Sequence, residues 1–358
     1  MKKKTIVLIC IAAAVVLTAV IVAVSGSRSA TFKQDYHIED INSITKIFLA
    51  DKQDQHVTLE RRADSSWVVN GTYEANQPLV DLLLEALNTM RIRERVNKNA
   101  IPNVVKDIAA HAIKVEVYQR EPLINWFWGH LKLFTREKLT VTYYVGRETR
   151  DMMGSFMFRK GDKVPYILHI PGFRGFLTPR FVTDPLKWRS HVIVDLNVKA
   201  IERIELEIPQ NPEEGFAVVR DGEGFSFERL TTHQRAASFD TARVAQLLSS
   251  FTWLNFDEFA AIVPNSFADS CVAGVPRTVL RITDTAGVTH ELKTYIKYTN
   301  PDDLKNIPDS TMYETFDLNR LYAILDNKDT VLIQYYVFDN ILQPASYFLG
   351  ADKSTFAR

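Results

Sequence analysis

The 358 residues suffice for about two domains of ~150 residues each. A hydrophobic content of 46% and a charged content of 24% are those of a folded globular protein and exclude a disordered chain. The 43 basic and 43 acidic residues cancel, which leaves no basic excess with which to displace counterions from nucleic acid, so no nucleic-acid partner is expected.

The run from Ile6 to Val24 holds no charge. As a helix rising ~1.5 Å per residue it would span ~28 Å, the hydrocarbon thickness of a bilayer. Lys2, Lys3 and Lys4 precede it, and the positive-inside bias keeps that end in the cytoplasm. The sequence thus predicts contact with the membrane through Ile6 to Val24, in a single-pass inner-membrane protein with its bulk extracytoplasmic. Removal as a signal peptide at Ala23-Val24-Ser25 is the competing reading. Gly26-Ser27-Arg28-Ser29 then forms a tether, and residues 1–30 make one segment.

Beyond the tether the chain repeats itself. Ile44-Thr45-Lys46-Ile47-Phe48-Leu49 alternates apolar and polar residues, as does Ile201-Glu202-Arg203-Ile204-Glu205-Leu206. Two further strands follow each: Val57 to Arg61 and Trp67-Val68-Val69 in the first half, Phe216 to Arg220 and Phe225-Ser226-Phe227 in the second. Each half then predicts an amphipathic helix. Pro78 to Met90 carries Leu79, Leu82, Leu83, Ala86, Leu87 and Met90 on one stripe; Thr241 to Leu254 carries Val244, Leu247, Leu248 and Phe251, with Asp240 as N-cap. Ile113 to Tyr118 pairs with Leu139 to Val145, and Val279 to Ile282 with Thr289 to Tyr295. The expected fold class is α+β: an N-terminal transmembrane helix, then two tandem, repeat-related α+β domains with mainly antiparallel sheets, over 31–196 and 197–358.

This pattern resembles a known family. Ile47 to Leu49, Val57-Thr58-Leu59-Glu60-Arg61, Trp67-Val68-Val69 and the leucine-rich helix look like the opening of the DUF4340 domain. Phe158, Ile170-Pro171-Gly172-Phe173-Arg174-Gly175-Phe176-Leu177, Phe181 and Trp188-Arg189 are similar to its middle section. The resemblance covers most of the chain after the first segment and rests on hydrophobic pattern and a few aromatics. It implies a bacterial envelope protein, often membrane-anchored and in some members associated with ABC-type export or gliding-motility gene groups. It supplies no catalytic residues.

The halves differ in one place. Asp284-Thr285-Ala286-Gly287 joins the paired strands of the second half, whereas residues 119–138, containing Leu123-Ile124-Asn125-Trp126-Phe127-Trp128-Gly129-His130-Leu131-Lys132-Leu133-Phe134, join those of the first. An insertion at a hairpin tip is a surface feature and a frequent carrier of function. Pro122 can open a short helix there, with Ile124, Phe127, Trp128, Leu131 and Phe134 on one face. Three readings stand: aromatics folded back on their own domain, an interfacial helix on a membrane, or a docking site for an envelope protein. Trp126, Phe127, Trp128, Leu131 and Phe134 are the candidate contacts. A second loop, from Ile170 to Phe181, offers Arg174 and Arg180 as contacts for an anion or carboxylate.

Phosphate loops, dinucleotide fingerprints, zinc-protease motifs and nucleophile elbows are absent from the sequence. Cys10 and Cys271 make no disulfide framework, and no Cys/His cluster suggests a metal. No cofactor, metal or catalytic residue is expected. The sequence favours a non-enzymatic interaction or scaffold protein, with a small-ligand or glycan-binding protein using an inter-domain cleft as the alternative.

Overall fold

The computed structural model describes residues 36–126, 131–300 and 315–350. The chain divides into two compact units, Met1–Ser190 and His191–Arg358, against an expected boundary at 196–197.

In the first unit, alternation makes β1 (Ile44–Ala50) a half-buried strand that sinks Ile44, Ile47 and Leu49 into the core. It is followed by β2 (His56–Arg61), β3 (Trp67–Val69) and β4 (Tyr73–Glu74). The helix α1 (Gln77–Thr89) starts where the Asn76 side chain accepts the Leu79 N–H, with a proline in its first turn. Its buried stripe is Val80, Leu83, Leu84, Ala86 and Leu87, while Leu82 stays 38% exposed. The expected stripe was thus rotated, because Val80 and Leu84, not Leu82, lie over the sheet. Then come β5 (Arg91–Arg95), α2 (Ile101–His111), β6 (Ile113–Trp126), β7 (Leu131–Glu148), β8 (Ser155–Arg159), β9 (Tyr166–His169) and the one-turn α3 (Pro185–Trp188). The sheet order is β4-β3-β2-β1-β6-β7-β8-β9-β5. Its core joins the inward residues of β1, β2, β6 and β7 to α1 and to Trp188, which is fully buried with its ring N–H on the Val182 carbonyl at 2.9 Å.

The second unit opens with β10 (Val192–Val194), β11 (Ile201–Glu207), β12 (Phe216–Asp221) and β13 (Gly224–Arg229). The helix α4 (Thr241–Ser249) is capped by Asp240, whose carboxylate accepts the N–H groups of Ala242 and Arg243. It ends earlier than the sequence pattern predicts: Trp253 adopts φ +55°, and Leu254 leaves the helix to pair with Val194. β14 (Leu254–Asn255), β15 (Glu258–Phe259), α5 (Phe267–Val272), β16 (Thr278–Asp284), β17 (Thr289–Tyr298), β18 (Phe316–Leu325), β19 (Asp329–Gln334), α6 (Tyr335–Phe338) and α7 (Ala345–Leu349) complete it. The main sheet order is β13-β12-β11-β16-β17-β18-β19-β15. Buried Glu214 reaches across the chain to accept the Ser346 N–H at 2.8 Å, which fixes the start of α7 over a core of Phe216, Phe227 and Phe348.

The two orders match strand for strand except for β4. The central pairs share an irregularity: β1 slips register against β6 between Ile44 and Lys46, and β11 slips against β16 between Ile201 and Arg203.

The structure corrects the expected fold class. Strand pairings among the described residues are antiparallel, and helices are few, so the units are mostly antiparallel sheet rather than α+β. Among the described residues no helix is long and apolar enough to cross a membrane. The longest of them, α1, has 13 residues and spans only ~20 Å at ~1.5 Å per residue, short of a ~30 Å bilayer core. The expected transmembrane helix and, with it, the single-pass inner-membrane placement are therefore not supported by any described helix; the run from Ile6 to Val24 itself lies outside the described residues.

Gly154 precedes β8 where the chain runs against β9. A Cβ there would stand 2.8 Å from both the Leu168 carbonyl oxygen and Ile167 Cγ2. Since a backbone carbonyl cannot swing away, Gly154→Ala is expected to lower unfolding free energy by about 1–3 kcal/mol in a urea titration.

Candidate functional site

The expected helix after Pro122 does not form. β6 runs on through Pro122 to Trp126 and β7 begins at Leu131, so the aromatic insertion is the outer end of a two-stranded hairpin. Paired positions run from Ile113↔Val145 at the base to Pro122↔Thr135, Ile124↔Leu133 and Trp126↔Leu131 at the end. Neighbouring strands cover only the base. β1 accompanies β6 as far as Gln119, and β8 accompanies β7 only from Tyr143. From Arg120 outward no described strand other than β7 pairs with the seven residues to Trp126, about 23 Å at ~3.3 Å per residue. We call this projecting part the arm. Its counterpart in the second unit, β16–β17, closes at Thr283↔Thr289 in a turn held by Asp284, whose carboxylate accepts the Ala286 and Val288 N–H groups at 2.9 and 2.8 Å.

Of the candidate contacts, Trp126, Leu131 and Phe134 lie on the arm strands. Phe127 and Trp128 lie outside the described residues.

The arm is braced at its root by polar side chains. Thr45, at the register slip of β1, donates its hydroxyl to Glu137 Oε2 at 2.7 Å, and Lys46 Nζ meets Oε1 of the same carboxylate at 2.9 Å. These two contacts, the hydroxyl first, hold the Glu137 carboxyl below the usual range. Gln119 donates to Ser43 Oγ and accepts from Thr140, both at 2.7 Å, and Lys138 pairs with Glu121 at 2.9 Å. Thr135, Arg136, Glu137, Lys138 and Leu139 are all exposed.

Beside the root lies a cleft of about 800 Å³ whose lining includes His37, Asp40, Gln119, Thr140, Arg159 and Lys160. Its floor is a buried clamp on the segment ahead of β1. Tyr36 donates to Asp162 Oδ2 at 2.5 Å, the Arg159 guanidinium bonds Asp162 Oδ1 at 3.0 Å and lies 4.8 Å over the Tyr36 ring, and the Tyr143 hydroxyl donates to the Tyr36 carbonyl. Sequence inspection missed this clamp, since 126 residues separate Tyr36 from Asp162 and neither belongs to a motif.

The expected anion contacts are placed apart from the arm. Arg174 is exposed, and the Arg180 guanidinium lies 5.6 Å from the centre of the exposed Phe173 ring. The loop carrying them is pinned by buried Leu177 and Phe181 and by Ser155 Oγ, which accepts the N–H groups of Leu177 and Thr178 at 2.9 and 3.1 Å. Among the described residues no three His, Cys, Asp or Glu side chains are grouped to hold a metal ion.

A family model described as a domain of unknown function, DUF4340, matches residues 67–271. The chain belongs to the DUF4340 family. The DUF4340 span opens in β3 and closes in α5, so it takes in the whole arm and crosses the boundary between the compact units. No curated protein and no solved structure matches the chain.

The clamp makes this DUF4340 chain sensitive to alkali. Burial, then the bond to Asp162, raises the Tyr36 hydroxyl far above its ordinary value of 10.0, and burial likewise raises Tyr143. Both stay protonated in the folded state while the unfolded chain ionises. Their stabilisation is therefore full below pH ~10 and declines as pH climbs above it toward the folded values. Tyr36→Phe is expected to cost about 1 kcal/mol at neutral pH through the lost hydrogen bond. It should also flatten the loss of melting temperature between pH ~10 and ~11, followed by circular dichroism.

Proposed function

We propose that this DUF4340 protein is a non-catalytic interaction module and that the β6–β7 arm is its docking element. One observation carries the reading: matching sheets close the same hairpin in two ways, with a tight turn in one unit and a free-standing arm in the other. The fold is complete without the arm, so its length needs another reason. Its composition supplies one. Trp126, Leu131 and Phe134 lie on its strands, and with Phe127 and Trp128 between them in sequence they are the residue types that dominate binding energy at protein interfaces. Arg120, Arg136, Glu137 and Lys138 at the root keep that apolar end flanked by charge.

The test exchanges one hairpin for the other. Replacing residues 120–137 by Asp-Thr-Ala-Gly should leave the melting temperature within ~3 °C of the parent, because none of the described side chains it removes belongs to either core. Association with partner proteins, followed by quantitative crosslinking in the native host, should fall by more than about tenfold. Alanine at Trp126, Phe127 and Trp128 together should do the same with folding intact. An unfolded triple variant would show that the aromatics are core and would defeat the proposal.

A further inference from the structure

Among the described residues, the end strands of the two main sheets are short or charged. β4 and β15 are two residues long, β5 ends in Arg93, Glu94 and Arg95, and β13 is flanked by the bridge between Glu228 and Arg235. On the arm, the outward edge of β6 carries Pro122, which has no N–H to offer an added strand. The outward edge of β7 carries charge in Arg136, Glu137 and Lys138 but no proline, and it is long. β8 stops at Arg159, the Lys160 N–H makes a last bond to the Thr142 carbonyl at 2.9 Å, and the chain turns off at Gly161 with φ +100°. From Thr135 to Val141 no described strand pairs with that edge.

Two more features mark this edge. The cleft of about 800 Å³ opens where β8 ends, lined there by Thr140, Val141, Lys160 and Gly161. It also receives His37, whose Nδ1 is buried without a hydrogen-bond partner among the described residues. The charges, in turn, are unevenly matched. Glu137 is held by Lys46 and Lys138 by Glu121, whereas Arg136 is exposed and makes no ion pair among the described residues.

We infer that the outer edge of β7, from Thr135 to Val141, takes up an acidic, extended segment of a partner polypeptide by antiparallel strand addition. The inference rests on the reading of the arm as a docking element and gives that docking its geometry. An added strand antiparallel to β7 continues the line of β8. Its first residues pass the mouth of the cleft at Val141 and Lys160, and the rest, which carry the acidic side chains, run past Arg136 toward the end of the arm. Main-chain bonds supply affinity and the side chains flanking Arg136 supply selection. A second copy of this chain fits badly. Antiparallel pairing about a two-fold axis normal to the sheet maps each face of β7 onto itself. Arg136 and Lys138, which share a face by the two-residue period, would then meet their own copies.

A random-peptide display library panned against the full chain tests this. Enriched peptides should be acidic and rich in β-branched residues, and a synthetic copy of the best should slow amide exchange within 135–141. Arg136→Glu should weaken that peptide about tenfold, and Arg136→Lys should largely restore it. Enrichment of neutral or basic sequences, no enrichment, or protection confined to other segments would overturn the inference. If shortening the arm abolishes association while residues 135–141 stay unprotected, strand addition fails and the docking reading survives. If shortening the arm leaves association intact, the docking reading itself falls.

Discussion

Each sheet is organised around one long-range pairing, β1 with β6 in the first unit and β11 with β16 in the second. More than fifty residues of chain close before either pair can form, so the pairing is expensive in loop entropy and must be set by side chains. The period-two pattern does this, since a slip by one residue would turn Ile47 and Leu49, or Ile204 and Leu206, out of the core. Against that constraint both units admit the same single slip, one residue into the strand. In the first unit the slip falls at Thr45, whose hydroxyl holds Glu137 on the arm. A local irregularity of the central strand thereby becomes the seat of the arm.

With the central pair in place, the remaining strands extend the sheet on either side of it. α1 and α4 bring leucines and valines to the sheet, while the last segments of each unit are tied back by single polar contacts. Ser155 receives two N–H groups of the loop before Phe181, and Glu214 receives the Ser346 N–H in the first turn of α7. A carboxylate and a hydroxyl so deeply buried are tolerated because each is hydrogen-bonded. The second unit in addition stacks Phe216, Phe227 and Phe348 with ring centres 5.0 to 5.8 Å apart.

Most strands were legible in the sequence because alternation survives wherever one face is wet, as in Ile44 to Leu49 and Ile201 to Leu206. The helix caps were legible where a single residue makes them, as Asp240 does. Other features were not. The insertion after Pro122 satisfies a helical period through Ile124, Phe127, Trp128, Leu131 and Phe134, and a short apolar run fits both periods; strand pairing with residues 131–135 decided in favour of the ribbon. Helix α2 escaped notice although Ile101, Val104, Val105 and Ile108 stand at helical spacing; of these Ile108 alone is fully buried. The clamp of Tyr36, Arg159 and Asp162 joins distant parts of the chain, and composition carries no trace of it. The uncharged run from Ile6 to Val24 was read as a bilayer span from its length and the three lysines ahead of it; it lies outside the described residues, and these supply no such helix.

A ribbon of two strands, held at one end and free for about 23 Å, is a cantilever. Any load applied near Trp126 produces its largest bending moment at the base, where Gln119, Glu137 and Thr140 sit. Those residues grip Ser43, Thr45 and Lys46, so the load passes into the central strand β1 and not into a peripheral loop. Displacement at the end and strain in the middle of the sheet are thus mechanically the same event.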